Sequence, residues 1–473
     1  MTRRSGLAAY LLLILAGVSA KAQHASSDTL SGTWEAQVQI ADRCHLQFRL
    51  THGGGPAFTG VLDAPQWKLT GPPIADGQIS GNRISFKLPD IEATFSGSLN
   101  SAHSEIAGQW TQYGTSTALF LRKTAGANTY NRPQDPQPPH AYFHEDLTLL
   151  NPDSRLRIAG TVTIPEGGRR RPLIILLSEA GPHDREGTFA GHHPLLVLSD
   201  RLTRAGFATW RMDDRGVGES DGDLSKATID DLAADVRFVI RALGKRDDID
   251  ASRVGIVAHG EGGWVAARAA ADFASVRFLL LVNMPMLRGD ESEFTRIRSS
   301  AANSGDFPRT AESEAEIQLL RDAAAMRDSI DAADRVAAVR EAIMKAISRW
   351  SAEDRARLGD PDSYAAQLSA RVCSAAMRDA WAFDPIAALM PLKCPILVLM
   401  GQRDAEVPVS AHAAAIRTLA NGRRNITVRE EPNWNHLLQY TRKLSVSEYG
   451  AIDETFAPEA LEAIRSWCVE QGK

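Results

Sequence analysis

Two residues have the types and settings for proton chemistry: Asp404 in GQRDAEVP and His436 in NWNHLLQ. Each directly follows a short apolar segment, PILVLM (395–400) and ITVRE (426–430) respectively. A carboxylate that accepts from one imidazole nitrogen orients the ring and stabilises its charged form, leaving the other nitrogen to move a proton. Upstream, RVGIVAHGEGGWVAARAA (253–270) runs from an apolar segment through a glycine-rich turn into an alanine-rich one. That is the strand–turn–helix setting of a nucleophile elbow, G-x-S-x-G, and elbow, acid and histidine follow in the order such a triad takes. Singly, a loop histidine is usually a surface residue and a loop aspartate a turn or cap. In this order, behind such a turn, they make a catalytic constellation.

The serine slot of the turn holds Gly260, between His259 and Glu261. A nucleophile at an elbow sits in a strained backbone conformation that costs roughly 1–3 kcal/mol for a residue with a side chain. Glycine takes it without a Cβ clash. Gly260 therefore preserves the turn and removes the reactive oxygen. No other residue is an obvious replacement. Ser178 ends an earlier apolar segment at a distance from His436, and Cys373 stands in no motif. His183, His192 and His193, with Asp184 and Glu186, match no metal-ligand spacing and read as solvated loop residues. Asp214, Arg215, Gly216 and Gly218 read as a tight turn. The sequence calls for no metal.

The elements that must position these residues divide the chain. Residues 1–22 read as a cleavable export signal: Arg3 and Arg4, the apolar LAAYLLLILAGV, then Ala20-Lys21-Ala22. The expectation is a secreted or periplasmic protein cut after Ala22, with no later apolar run of spanning length. Removing this segment takes away Arg3, Arg4 and Lys21 and no acid, moving the net charge from −5 to −8. Such a balance, without a basic run, argues against nucleic acid as a partner. Residues 27–124 hold alternating segments such as ISFKL and IAGQWTQ between turn residues, which predicts a small all-β barrel or sandwich. A proline-rich linker, 125–143, reads as a semi-rigid, extended spacer. From 144 to 473, continuous apolar runs (PLIILL, FATWRM, RVGIVA, RFLLLV, PILVLM) alternate with helical patterns. They predict an α/β doubly wound, mostly parallel sheet with ligands at the carboxyl ends of its strands. The charged, alanine-rich stretch at about 288–378 reads as an inserted helical cap. Cys44, Cys373, Cys394 and Cys468 lie far apart in the sequence, and their pairing is left open.

The chain resembles secreted α/β-hydrolase esterases with an N-terminal β-domain, relatives of serine aminopeptidases. The likeness rests on AGPHDREG (180–187), DDRGVGESDGD (213–223), AHGEGG (258–263), GQRDAEVP, NWNHLLQ and SEYGAIDETFAPEAL (447–461). It implies hydrolysis of carboxylic esters or related acyl groups without a cofactor, with Asp404 as acid and His436 as base. The departures fall at three places. The elbow serine is Gly260. The glycine–serine–glycine–proline of the first-strand loop is Glu179-Ala180-Gly181-Pro182, which sets a carboxylate beside the expected oxyanion hole. An alanine–glycine–proline–glycine stretch is the bulkier Asn283-Met284-Pro285-Met286. All three are expected at the pocket mouth.

Loss of a triad nucleophile costs on the order of a millionfold in turnover, so acyl-enzyme chemistry at residue 260 is not expected. Three functions stay open. The pocket binds a small ligand without esterase chemistry. Alternatively, His436 and Asp404 drive non-covalent catalysis, activating water or abstracting a proton, with Glu179 assisting. Last, an esterase works through an unrecognised nucleophile. Oligomeric state is not legible in the sequence.

Overall fold

The computed structural model describes residues 30–472, apart from 40–42, 65–68, 113–114, 124–131, 168–169, 180, 272, 303–309, 332–333, 351–354, 356–360, 443, 445–448 and 451. The expected export signal, Ala180 and the first part of the linker lie outside the described residues.

Nine strands form the first sheet: β1 (Gly32–Gln39), β2 (Arg43–His52), β3 (Phe58–Ala64), β4 (Leu69–Pro73), β5 (Ala75–Ser80), β6 (Arg83–Leu88), β7 (Ala93–Leu99), β8 (Glu105–Gln112) and β9 (Thr115–Lys123). Their order is β4-β3-β2-β1-β9-β8-β7-β6-β5. An antiparallel bridge from Ala57 to Gln78 brings the β3 and β5 ends together, so the sheet curls into a nearly closed barrel. Strict alternation, as in RISFKL, sends every second side chain inward. The interior is filled by Trp34, Phe48, Phe86, Phe95 and Trp110, so this barrel is a packed core. The two indole N–H groups inside it donate to Leu30 O and Gln112 Oε1.

The proline-rich segment is more than a spacer: its described part is fastened down. The Arg132 guanidinium donates to the carbonyls of Ala190, Gly191, Gly450 and Ile452, at 2.7–3.1 Å. Gln134 exchanges two hydrogen bonds with the Phe456 backbone, and Asp135 meets His193 at 2.8 Å. Arg132 thus ties together two loops distant in sequence. Hydrogen bonds from a charged donor contribute about 1.5–3 kcal/mol each where buried, less where water competes. Arg132→Ala is expected to cost about 2–3 kcal/mol, read as a lowered denaturant midpoint at unchanged slope.

The second sheet has eight strands: β10 (Tyr142–Leu150), β11 (Arg157–Pro165), β12 (Arg171–Leu177), β13 (Ala208–Met212), β14 (Ile249–His259), β15 (Val276–Val282), β16 (Ile396–Gly401) and β17 (Ile426–Glu431). The order is β10-β11-β13-β12-β14-β15-β16-β17; β10, β11 and β13 pair antiparallel, and the pairs from β13 to β17 are parallel. This is the α/β-hydrolase fold, a mostly parallel sheet with an antiparallel edge. The central strands are buried on both faces, which is why they read as unbroken apolar runs. Helices α1 (Pro194–Arg204), α2 (Ile229–Leu243) and α3 (Gly262–Ala271) cover the sheet. α2 starts on a reciprocal cap in which Thr228 and Asp231 each bond the other's backbone N–H.

The cap helices run from Gly289–Ala302 to Ala375–Ala382 and enclose a core of their own, including Phe294, Ile317, Leu320, Val339 and Ile343. The last of them is anchored to the sheet domain where Asp379 accepts from the Ile229 N–H, 2.6 Å. Cys373, Cys394 and Cys468 are free thiols.

Candidate active site

β14 delivers the chain to the turn, and His259 is its last residue. Gly260 has φ 51°, in the left-handed region, and donates its N–H to Val282 O at 2.9 Å. The turn closes as the N–H groups of Gly263 and Trp264 bond Gly260 O and Glu261 O. At Gly262 a Cβ would lie 2.1 Å from Ser178 O, so only glycine lets the first-strand loop pack this closely on the start of α3. That approach carries the next residue, Glu179, over Gly260. A Cβ built on Gly260 would lie 2.7 Å from the Glu179 Cβ and 3.3 Å from its Oε2. The space a side chain at position 260 would take is filled by the Glu179 carboxylate.

That carboxylate meets His436: Oε2 is 2.8 Å from Nε2. On the other side of the ring, Nδ1 is 2.8 Å from Asp404 Oδ2. The remaining Asp404 oxygen accepts from the N–H groups of Glu406 and Val407 at 2.7 and 2.8 Å. The result is a relay, Glu179–His436–Asp404. Asp404 and His436 are almost wholly buried; Glu179 keeps 13% of its side chain exposed. A ring that donates to two carboxylates carries both protons. Burial opposes that charge, but Asp404 and Glu179 outweigh it and hold the His436 pKa well above the ordinary value.

The loop bearing His436 is pinned by Asn283, Asn435, Tyr449 and His259. Asn283 Nδ2 donates to the carbonyls of Asn435 and His436 at 3.1 and 2.7 Å, and its Oδ1 accepts from the Gly401 N–H. Asn283 itself has φ 46°. Asn435 Oδ1 accepts from Leu437 and Gln439. The Tyr449 hydroxyl accepts from the His436 N–H at 3.4 Å. Burial first, then the Asp404 charge, push the Tyr449 pKa well above the usual phenol value, so it stays neutral there. His259 also donates from Nε2 to His436 O at 2.8 Å. Burial, then the neighbouring His436 charge, bring His259 down to about 4, so it is a neutral donor at physiological pH.

Two expectations change on inspection. His183 and His192 are buried and not solvated: His192 is held between Thr455, Tyr449 O and Gln439. Burial, then the Arg132 charge, lower its pKa to about 4. Met284 is not at a pocket mouth. It lies in the sheet core, where a Cβ on Gly263 would be 2.6 Å from its sulfur. Asp214, Arg215, Gly216 and Gly218 form a turn in which the Val217 N–H bonds Asp214 O at 3.0 Å and the two glycines take φ 77° and 54°.

A cavity of about 190 Å³ opens beside the relay. Its apolar wall includes Ile158, Met212, Ile229, Leu232 and Trp264, and the cap adds Ala376 and Ala380. Glu179 and Glu261 also line it; His436 does not. A second cavity of about 20 Å³ lies on the other side of Glu179 and is lined by His183 and His259. Glu179, His259 and His436 place one oxygen and two ring nitrogens within 4.8 Å of one another. They could hold a cation only after His436 gave up its proton, because metal ligands must be deprotonated.

The raised His436 pKa ties stability to pH. A group whose folded pKa exceeds its unfolded value stabilises fully below the unfolded pKa, about 6.5, and loses that contribution as pH rises through the folded one. Wild-type stability is therefore expected to fall from about pH 6.5 upward by as much as 1.4 kcal/mol per unit from this group. Denaturant midpoints of wild type and His436→Gln should converge along that range.

The chain is similar to several known proteins. A protein of Escherichia coli, an uncharacterized 31.7 kDa protein in the traX-finO intergenic region, is 34% identical over 125 residues, 26% of this chain and 41% of its own length. The chain thus spans about two fifths of that relative. Among solved structures, the Pyrococcus furiosus esterase Pf2001 aligns at 13% identity over 74% of this chain and 100% of its own, with a TM-score of 0.41. The α/β hydrolase GrgF from Penicillium sp. sh18 aligns at 13% over 70% and 98%, with a TM-score of 0.42. The sequence model of the Hydrolase_4 family, serine aminopeptidase S33, matches residues 195–439, from α1 to the loop beyond His436. With more than half of its length matched, and the matched part folded as an α/β-hydrolase domain, the chain belongs to the Hydrolase_4 (serine aminopeptidase, S33) family.

Proposed function

We propose that this protein is a hydrolase that has exchanged acyl-serine chemistry for a carboxylate–imidazolium pair, Glu179 and His436, acting on a small, largely apolar molecule. One observation carries the reading: Glu179 Oε2 sits 2.8 Å from His436 Nε2, in the space above Gly260. There a group with a labile proton relation to the imidazole replaces the missing hydroxyl, and Asp404 still orients the ring. The cavity of about 190 Å³ somewhat exceeds the roughly 150 Å³ that accepts benzene. Only Glu179 of the relay faces it. The carboxylate is thus the group a ligand meets, and the imidazolium behind it supplies the proton.

A second reading, ligand binding without turnover, draws on the same burial: His436 is 1% exposed and screened by Glu179. Turnover of a panel of activated esters and small lactones separates the two. The acid–base reading expects hydrolysis that resists fluorophosphonate and falls about a hundredfold to ten-thousandfold in Glu179→Gln and His436→Ala. Binding alone predicts no turnover and saturable protection of the fold by the same compounds. Stoichiometric labelling of the wild type by fluorophosphonate would overturn both. Export through residues 1–22 is part of the proposal, placing the protein in the periplasm or outside the cell.

A further inference from the structure

We infer that Glu179, His259 and His436 form a zinc site, in which Zn²⁺ takes the place of the proton between Glu179 Oε2 and His436 Nε2. The three residues come from the loop after β12, the end of β14 and the loop after β17, and one ligand atom of each lies within 4.8 Å of the others. Two imidazole nitrogens and one carboxylate oxygen are a donor set that zinc accepts, with a fourth position left open. Calcium and magnesium call for oxygen ligands, which two ring nitrogens do not supply.

Each ring is already held as a ligand must be. His436 gives its Nδ1–H to Asp404, 2.8 Å away, and His259 gives its Nε2–H to the His436 carbonyl, also at 2.8 Å. Metal-binding histidines almost always commit their second nitrogen in this way, to a carboxylate or a backbone carbonyl, which fixes the tautomer and aims the ring. In the neutral His259 ring, Nδ1 is then the nitrogen with the lone pair. His436 Nε2 gains one when its proton leaves for solvent as the ion enters.

Charge and room agree with a dication. Glu179 and Asp404 bring two negative charges to one imidazolium, so the relay keeps one negative charge uncompensated. Zn²⁺ in place of the proton cancels both. The cavity of about 20 Å³ lined by Glu179 and His259 has room for about one water. That matches the single open position of a four-coordinate zinc, whereas an octahedral metal on the same three ligands needs three. Ligand atoms around a tetrahedral zinc, with bonds of about 2.0–2.1 Å, stand about 3.3 Å apart, so Oε2 and Nε2 part by about 0.5 Å from their present 2.8 Å. That shift falls to Glu179, whose carboxylate borders the larger cavity. Gly260 makes room for it, since a Cβ there would lie 3.3 Å from Oε2. The bound ion holds both members of the acid–base pair, so zinc and turnover exclude each other. That consequence, unlike the site itself, rests on the acid–base reading.

Titration of the metal-free, full-length protein with zinc chloride, followed by calorimetry, tests the site. One zinc per chain is expected, bound at least about a hundredfold more weakly by His259→Gln and by Glu179→Gln. Urea midpoints without metal establish that both variants fold. X-ray absorption of the zinc-loaded wild type needs no variant and should give two imidazoles and one or two oxygens at about 2.0–2.2 Å. A shell of six oxygens, or an affinity that ignores both substitutions, would overturn the inference and mark an adventitious ion only. Ester turnover undiminished by one bound zinc would overturn it as well. A wild type that binds zinc through these three residues, yet hydrolyses no ester or lactone without it, would sink the acid–base reading and leave the site standing.

Discussion

Gly260→Ser is expected to destabilise the protein by about 2–6 kcal/mol and to gain no reactivity toward a fluorophosphonate. Two terms add. A side chain held at φ 51° stores roughly 1–3 kcal/mol of backbone strain. Its Cβ would also enter contact 2.7 Å from the Glu179 Cβ, and overpacking of this kind costs typically 1–3 kcal/mol. The new hydroxyl would meet an imidazole whose Nε2 already donates to Glu179. The pair is reciprocal, so the second half of the prediction is the double variant. Glu179→Gly removes the colliding atoms and frees Nε2, so Gly260→Ser with Glu179→Gly should recover about 1–2 kcal/mol relative to Gly260→Ser alone. It should also label with fluorophosphonate in a His436-dependent way. A double-mutant cycle in urea, read beside labelling rates, checks both. Additive energies, or labelling of Gly260→Ser alone, would show that the two positions are independent.

Asp404→Asn should cost about 3–5 kcal/mol. Both carboxylate oxygens are acceptors: one takes the N–H groups of Glu406 and Val407, the other the Nδ1–H of His436. Asparagine can satisfy only one side. Its amide must point at donors on the other, in a site where Asp404 is 2% exposed. Leaving buried donors facing a donor costs their full desolvation, and an imidazolium has then lost one of its two counter-charges. The denaturant midpoint should fall, and the loss should be smaller above the titration of His436, where the ring is neutral in both proteins. A wild-type-like midpoint would mean that the relay is not a cohesive part of the fold.

Much of the architecture was legible because the physics is local. Strands buried on both faces read as PLIILL and PILVLM, and alternating ones as RISFKL. The edge strand β10 is less legible, since a half-exposed strand, YFHEDLTLL, beside a proline-rich segment resembles a loop boundary. The linker's role was hidden for another reason. Arg132 works through carbonyls of residues 190, 191, 450 and 452, and backbone acceptors leave no trace in side-chain identity. At the site, Asp404, His436 and the glycine turn were found from their order after strands. Glu179 reads as an intruder beside the oxyanion loop and as an assistant to His436 and Asp404; the fold brings it, across 257 residues, to 2.8 Å from His436 Nε2. Asn283 looked merely bulky; its worth lies in two carbonyls and one N–H that only the folded chain assembles. His192 looked solvated because it stands in a run of polar residues, yet its ring is enclosed by the segment around Tyr449.

The central claim is that Glu179 and His436 form a charged pair where a serine–imidazole pair would otherwise stand. Ring-nitrogen chemical shifts of His436, in wild type and in Glu179→Gln, test it most directly. The account predicts that both ring nitrogens of wild-type His436 are protonated at pH 7.5, and that Glu179→Gln moves the titration to lower pH by about 1–3 units, the effect of losing an adjacent opposite charge. A neutral His436 at pH 7.5 in the wild type, or a titration that ignores Glu179→Gln, would contradict it.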